Sequence, residues 1–319
     1  MRRVSEKVST GWRPDSVPDQ FLGFDTSIDL DALREACVRL DVRRVGSPLV
    51  SYTRRAIGSR VVDSDGSTNW VKVSAVVDGA SNWMRRGETD AASIHEVPKP
   101  KILRIEDWSA EGLHYRALMM SLALSPSVEP VPLAGKAAAK VRDDWIDSLK
   151  RALSTLRATK AERYRIEPSW VPMRLRHWFG PNVPIEADEW HAAHGDLNWA
   201  NLTSPVFSLL DWETWGLAPQ GFDVSNLIAY SCAEPELYHR LEVAFARELA
   251  TRSGCVARLL ALGELLSNID EGWLHVSYRA PAEQMARRVL SDLGASPGEG
   301  AALSNPSTRC SEGPEQPGH

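Results

Sequence analysis

The segment His191–Leu202 reads HAAHGDLNWANL, and ten residues past Asn201 stands Asp211-Trp212-Glu213. Asp196, in a loop behind His194 and Gly195, can take a proton from a hydroxyl nucleophile, because a carboxylate held beside an O–H acts as a general base. Asn201 offers a neutral amide oxygen, a ligand that hard divalent cations accept. Asp211 follows the apolar run VFSLL, read here as a strand that holds its carboxylate on the same cation. Mg2+ takes few protein ligands and completes its shell with phosphates and water. One base, one amide and one metal carboxylate are the parts that phosphoryl transfer from a nucleotide requires.

The pattern H-G-D, four residues, N, a strand, D-x-E, then Asp223 ahead of the helix VSNLIAY resembles the catalytic core of the aminoglycoside phosphotransferase and choline kinase family, a branch of the protein-kinase-like fold. The motif match covers 190–230, and the rest of the chain follows the family in order and pattern only. The resemblance implies an ATP- and Mg2+-dependent kinase acting on a hydroxyl of a small molecule. Asp196 would be the base and Asn201 and Asp211 the metal ligands. Glu213 would assist the metal or contact substrate, and His194 would order the loop. Asp223 would brace that loop while serving as an N-cap. It also implies an ATP clamp in the N-terminal half. Lys72, on the third strand with Val71 and Val73 on the opposite face, would reach the phosphates. Its partner would be a Glu on the following helix, where Glu111 sits more centrally than Glu106. No GxGxxG is present, so the phosphate-covering turn would be GSPLVS, with Gly46, Ser47 and Ser51. The gap between Asn201 and Asp211 is shorter than the family usually shows and implies a tight hairpin around SPVF.

The elements that must position these residues follow from periodicity and turn chemistry. DLDALREACVRL reads as a helix, and TRRAIGSRVVDSDGSTNWVKVSAVV as two strands joined by a turn at DSDG. Residues 78–100 read as a mobile insertion and EDWSAEGLHYRALMMSLAL as a helix. The Pro-rich SPSVEPVPLAG then serves as a hinge between lobes. Val141, Trp145, Leu149, Leu153 and Leu156 recur at helical spacing. Residues 186–215 read as loop and hairpin, and helices return at PELYHRLEVAFARELATR, VARLLALGELLSNIDEGWL and PAEQMARRVLSDLG. The expected architecture is α+β and two-lobed. An N-terminal extension with its helix (1–40) precedes a β-rich lobe (41–128) and a helical lobe (129–293), with a disordered Pro/Gly/Ser-rich tail (294–319).

Length and composition suit a globular enzyme: 319 residues, 43% hydrophobic and 25% charged. No secretory signal or long apolar run is present, and four cysteines are scattered without CxxC pairing. These features point to a cytoplasmic protein with free thiols and no membrane segment. Of the net charge of −5, the stretch Asp188–Glu283 carries −9, from 14 acids against 5 Arg and no Lys, leaving +4 for the rest. Such acidity suits divalent metals, cationic ligands or simple solvation, and argues against nucleic acid. If Glu234, Glu236, Asp270 and Glu271 face the acceptor cleft they favour a cationic acceptor such as an amino sugar; if solvated, a neutral one. His191, His194 and Asp196 also spell HxxHxD, a zinc set on a helix, but Gly195 and its apolar neighbours argue for a strand entering a loop. The alternative to an active kinase is a catalytically weak kinase-fold module that binds nucleotide for regulation.

Overall fold

The computed structural model describes residues 30–51, 56–77, 83–129, 137–183 and 186–294. Five strands form an antiparallel sheet in the order β1-β2-β3-β5-β4, with β1 Arg43–Val50, β2 Ala56–Val62, β3 Thr68–Val77, β4 Ile102–Ala110 and β5 Leu113–Ser121. Helix α1 (Leu30–Arg39) covers one face. Leu33, Ala36 and the following Leu40 pack with Val61, Val71, Val73, Ala117 and Met119 in a closed apolar cluster. Strand alternation then places Lys72, between buried Val71 and Val73, on the other face. The β2–β3 turn forms where expected, at Asp63–Gly66, with Gly66 at φ 86.

The structure departs from the sequence reading at several places. EDWSAEGLHYRALMMSLAL is no helix; most of it forms the β4–β5 hairpin, closed by Glu111 (φ 52) and Gly112 (φ 74). Two successive positive-φ residues are what a tight two-residue hairpin turn needs. The run is rich in helix formers, but pairing with β3 and a Trp108–Tyr115 stack at 5.0 Å override that preference. The helix lies instead inside the expected insertion, as α2 (Trp83–Ala91) between β3 and β4. GSPLVS is not a turn either: Gly46, at φ 78, and Ser47 stand in an irregularity of β1, where Pro48 cannot donate to the ladder. The β1–β2 connection, 52–55, lies outside the described residues.

The remainder is helical apart from the two-stranded β6 (Trp190–Ala193) and β7 (Gly216–Pro219). Helix α3 (Asp143–Ala158) buries Trp145, Leu149 and Leu156, as the spacing predicts, and packs on β6. Helix α4 (Trp170–Phe179) was not read from the sequence. Helix α5 (Phe222–Tyr230) is almost wholly buried and packs on α8 (Arg252–Asp270), which in turn carries α9 (Arg279–Asp292). PELYHRLEVAFARELATR breaks at Phe245 into α6 (Pro235–Ala244) and α7 (Ala246–Leu249). No helix among the described residues is long and apolar enough to cross a membrane. Residues 130–135 of the expected hinge and nearly all of the tail (295–319) lie outside the described residues.

Candidate active site

Strand β6 delivers the chain to His194, and the backbone turns at Gly195 with φ 84. A Cβ on Gly195 would lie 2.5 Å from the Thr214 carbonyl and 2.8 Å from Arg165 Cδ, so both conformation and space demand glycine. Asp223 fixes this turn: its two carboxylate oxygens accept the His194 and Gly195 backbone N–H groups at 2.7 and 2.9 Å. The N-cap position of α5 belongs to Gly221, so Asp223 caps the loop and not its own helix. Buried His194 donates through Nε2 to the Leu210 carbonyl at 2.8 Å and meets the Trp212 ring edge-on. Burial lowers its pKa, leaving a neutral imidazole that joins the loop to the segment carrying Asp211.

Both carboxylate oxygens of Asp196 are held. Oδ1 accepts the Asn198 amide and Oδ2 the Asn201 amide, each at 3.0 Å. The Asn201 side chain therefore points its nitrogen at the base and has its oxygen left as a ligand. Arg165 donates to the Gly195 carbonyl at 2.7 Å and to Glu264 at 2.6 Å. Burial, then the Asp211 charge, push the Asp196 carboxyl up to about 6, against the pull of Arg165.

Asn201 and Asp211 approach through a short connection: Leu202 bridges Leu209, and Leu210 N–H donates to the Asn201 carbonyl at 2.8 Å. This is the tight turn expected around SPVF, although VFSLL forms only that single bridge and no full strand. Asp211 adopts φ 61, a left-handed conformation that Asp tolerates better than most residues. Its Oδ1 lies 2.7 Å from Lys72 Nζ, Glu213 Oε1 also 2.7 Å, and Glu88 Oε1 3.1 Å. Burial works to depress the Lys72 ammonium, yet Asp211, Glu213 and Glu88 together hold it well above its ordinary value. Burial pushes the Glu213 carboxyl up to about 7, with Asp211 and Glu88 adding repulsion, while Lys72 holds Asp211 below the usual carboxylate range. Glu88, Asp211 and Glu213 each bring an oxygen within 4.8 Å of the others. Three hard oxygen donors against one ammonium fit a divalent cation such as Mg2+.

No family model matches the sequence, and no curated protein matches it. Solved structures do resemble it. An amicoumacin kinase, hAmiN, in complex with AMP-PNP, Ca2+ and Ami is 13% identical with TM-score 0.51, covering 85% of this chain and 95% of its own. A thermostable mutant of aminoglycoside phosphotransferase APH(4)-Ia, in ternary complex with ADP and hygromycin B, is 11% identical with TM-score 0.53, covering 84% and 99%. The chain has the protein-kinase-like fold of these phosphotransferases.

Within this kinase-like fold the expected residues divide into those brought together and those held apart. Asp196, His194, Asn201, Asp211, Glu213 and Lys72 converge. Glu111 does not; it sits on the β4–β5 turn, and Glu106 lies within β4. The helix carboxylate that meets Lys72, beside Asp211 and Glu213, is Glu88 of α2, a residue the sequence reading missed by placing the helix one element too late. Its only signal was apolar spacing downstream, in Ala91, Ile94 and Val97, all buried. Arg163 and Arg165 were missed too. Gly46 and Ser47 are exposed in β1, and the Ser51 hydroxyl accepts the Ala56 N–H at 3.0 Å. His191 reaches Glu189 at 3.4 Å while His194 turns inward, so HxxHxD forms no metal set. Of the acids considered for a cationic acceptor, Glu234 accepts the Ala137 and Ala138 N–H groups, Asp270 pairs with Arg279, and Glu271 accepts the Trp273 indole N–H.

Proposed function

We propose that the chain is an ATP- and Mg2+-dependent kinase transferring the γ-phosphate to a hydroxyl of a small molecule. The fold alone supports no activity, since kinase-like folds also serve as binding modules. The observation that carries the reading is the meeting of a raised-pKa carboxylate, an amide and a three-carboxylate cluster on one lysine. Asp196 is the base: the acceptor oxygen forms the new P–O bond, the bond to the departing ADP oxygen breaks, and the acceptor proton passes to Asp196. Its two amide partners fix the carboxylate's direction, a positioning contribution to rate. Asn201, Asp211 and Glu213 would hold Mg2+, whose charge neutralises that developing on the phosphates. Lys72, aligned by Glu88, would supply the fixed cation on the nucleotide side.

The acceptors of the similar structures, amicoumacin and hygromycin B, support an antibiotic or another polyhydroxylated small molecule. Incubating the protein with Mg2+, γ-labelled ATP and a panel of antibiotics, sugars and amino alcohols tests the reading. A labelled product that disappears with Asp196→Asn supports it; nucleotide binding with no transfer to any acceptor favours the regulatory module instead. The 2.7 Å contacts of Lys72 with Asp211 and Glu213 are what speak for that second reading, because the ammonium there engages the carboxylates that a metal would need.

A further inference from the structure

Arg163 lies in the segment between α3 and α4, where Tyr164 bridges Leu217 of β7. Its backbone is pinned, since its carbonyl accepts the Leu217 N–H at 2.7 Å and Arg165 N–H donates to the Leu217 carbonyl at 2.9 Å. The side chain then leaves the helical lobe. One guanidinium nitrogen, Nη2, donates both to the Trp83 carbonyl at 2.9 Å and to the Glu213 carbonyl at 3.1 Å. The guanidinium carbon lies 4.1 Å from the centroid of the Trp83 ring and 5.9 Å from that of Trp215. Nη1 faces Asp90 at 3.6 Å. Trp83 opens α2 and Asp90 belongs to its last turn, so one cation touches both ends of the helix that carries Glu88, and at the same time the backbone of Glu213.

The surrounding packing shows that this docking is close. A Cβ on Gly87 would fall 2.0 Å from the Glu213 carbonyl oxygen, and the Trp215 indole donates to the Gly87 carbonyl at 2.9 Å. The helix is thus seated flush on 213–215. A cation so enclosed is costly: burial brings the Arg163 pKa down to about 10, and Nε has no hydrogen-bond partner. A group retained under that cost, with both hydrogens of one nitrogen spent on two different elements, acts as a connector.

We propose that Arg163 is the positioning residue of the nucleotide site: it clasps α2 to the Asp211–Glu213 segment and thereby sets Glu88 against Lys72. The inference rests on the kinase reading for its consequence, nucleotide binding, but the clasp itself stands on the geometry of α2. Lysine cannot reproduce it, because an ammonium lacks the planar fork and the flat face that lies on Trp83.

Two measurements test it. Hydrogen exchange without nucleotide reads the clasp directly: Arg163→Ala should speed exchange of the α2 amides, 83–91, while leaving those of α8 and α9 unchanged. Titration calorimetry with Mg2+ and AMP-PNP reads its consequence. Arg163→Ala should weaken binding about tenfold, within the span of ordinary coupling energies, and Arg163→Lys should recover only part of it. In a Glu88→Gln background, Arg163→Ala should add nothing further, since the two act through one contact. Unchanged α2 exchange, or fully additive losses in the double variant, would overturn the proposal. If the parent protein binds no Mg·AMP-PNP, the kinase reading falls and α2 exchange still decides the clasp. Arg163→Lys, which keeps the charge, supplies both readouts if Arg163→Ala fails to fold.

Discussion

A general base must be ionised at working pH yet basic enough to draw a proton, and the surroundings of Asp196, the base we propose, suit both demands. Burial and the Asp211 charge raise its pKa to about 6, and the Asn198 and Asn201 amides favour the carboxylate they bind. The sign is simple: below that value Asp196 is protonated and cannot accept, so kcat/KM should fall as pH drops through about 6. Asp196→Asn should cut turnover by roughly 10²–10⁴-fold and abolish that acid limb in what activity remains. A variant with near-parental turnover would remove Asp196 from the role. Asp211 carries a separate expectation. Asp211→Asn loses a cluster carboxylate and a Lys72 partner, so Mg·ATP binding should weaken and the Mg2+ requirement rise, with far less change in EDTA. Identical calorimetric titrations for both proteins would exclude it as a metal ligand.

At the scale of elements, α2 decides which helix glutamate joins Glu213 and Asp211 at Lys72. Glu88→Gln should weaken Mg·ATP binding, while Glu111→Gln, on an exposed hairpin turn, should leave it unchanged; nucleotide affinity of the two variants checks this. Gly87→Ala should cost about 1–3 kcal/mol of stability by overpacking and weaken nucleotide binding as well, because the added methyl meets backbone that cannot step aside. Denaturant titration alongside calorimetry measures both. This element also shows where the sequence stops being informative. Lys72 and the loop from His194 to Asp211 are legible because the family resemblance implies them, while alternation sets the face of Lys72 and glycine and fixed polar offsets leave the loop few local solutions. Glu88 is not, because α2 is short, carries Gly87 at its centre, and is held by Arg163, Trp215 and residues 213–215, contacts distant in sequence. The β4–β5 hairpin misleads for the converse reason: Leu, Met, Ala and Glu favour helix locally, and only β3 makes the run a strand.

For the whole molecule, the sheet brings Lys72 and α2 brings Glu88, while the helical part brings Asp196, Asn201, Asp211 and Glu213. A ligand held by both sets should stabilise the chain as one unit. Thermal unfolding should therefore shift upward with Mg·ATP by an amount that grows with the logarithm of its concentration, and less with ATP in EDTA. Charge selection of the acceptor is a property at this scale too. Asp270 is offset by Arg279, while Glu234 and Glu271 are turned onto neutral N–H groups of the chain, so three of the four acids that would have favoured a cation are committed to local structure, although only Asp270 has its charge offset. Efficiency toward cationic and neutral hydroxyl compounds should then respond weakly to salt. A cationic acceptor whose kcat/KM collapses between low and high ionic strength would show that other acids do the selecting.

The indole rings around Arg163 have a consequence of an optical kind. Trp83 lies against a guanidinium and Trp215 gives its N–H to the Gly87 carbonyl, so the colour of their emission depends on whether α2 is seated. The chain carries twelve tryptophans, and these two lie where α2 meets residues 213–215. A shift in emission wavelength that accompanies unseating of α2 should be smaller in Trp215→Phe. The protein thus carries its own lamp at the contact where α2 meets residues 213–215.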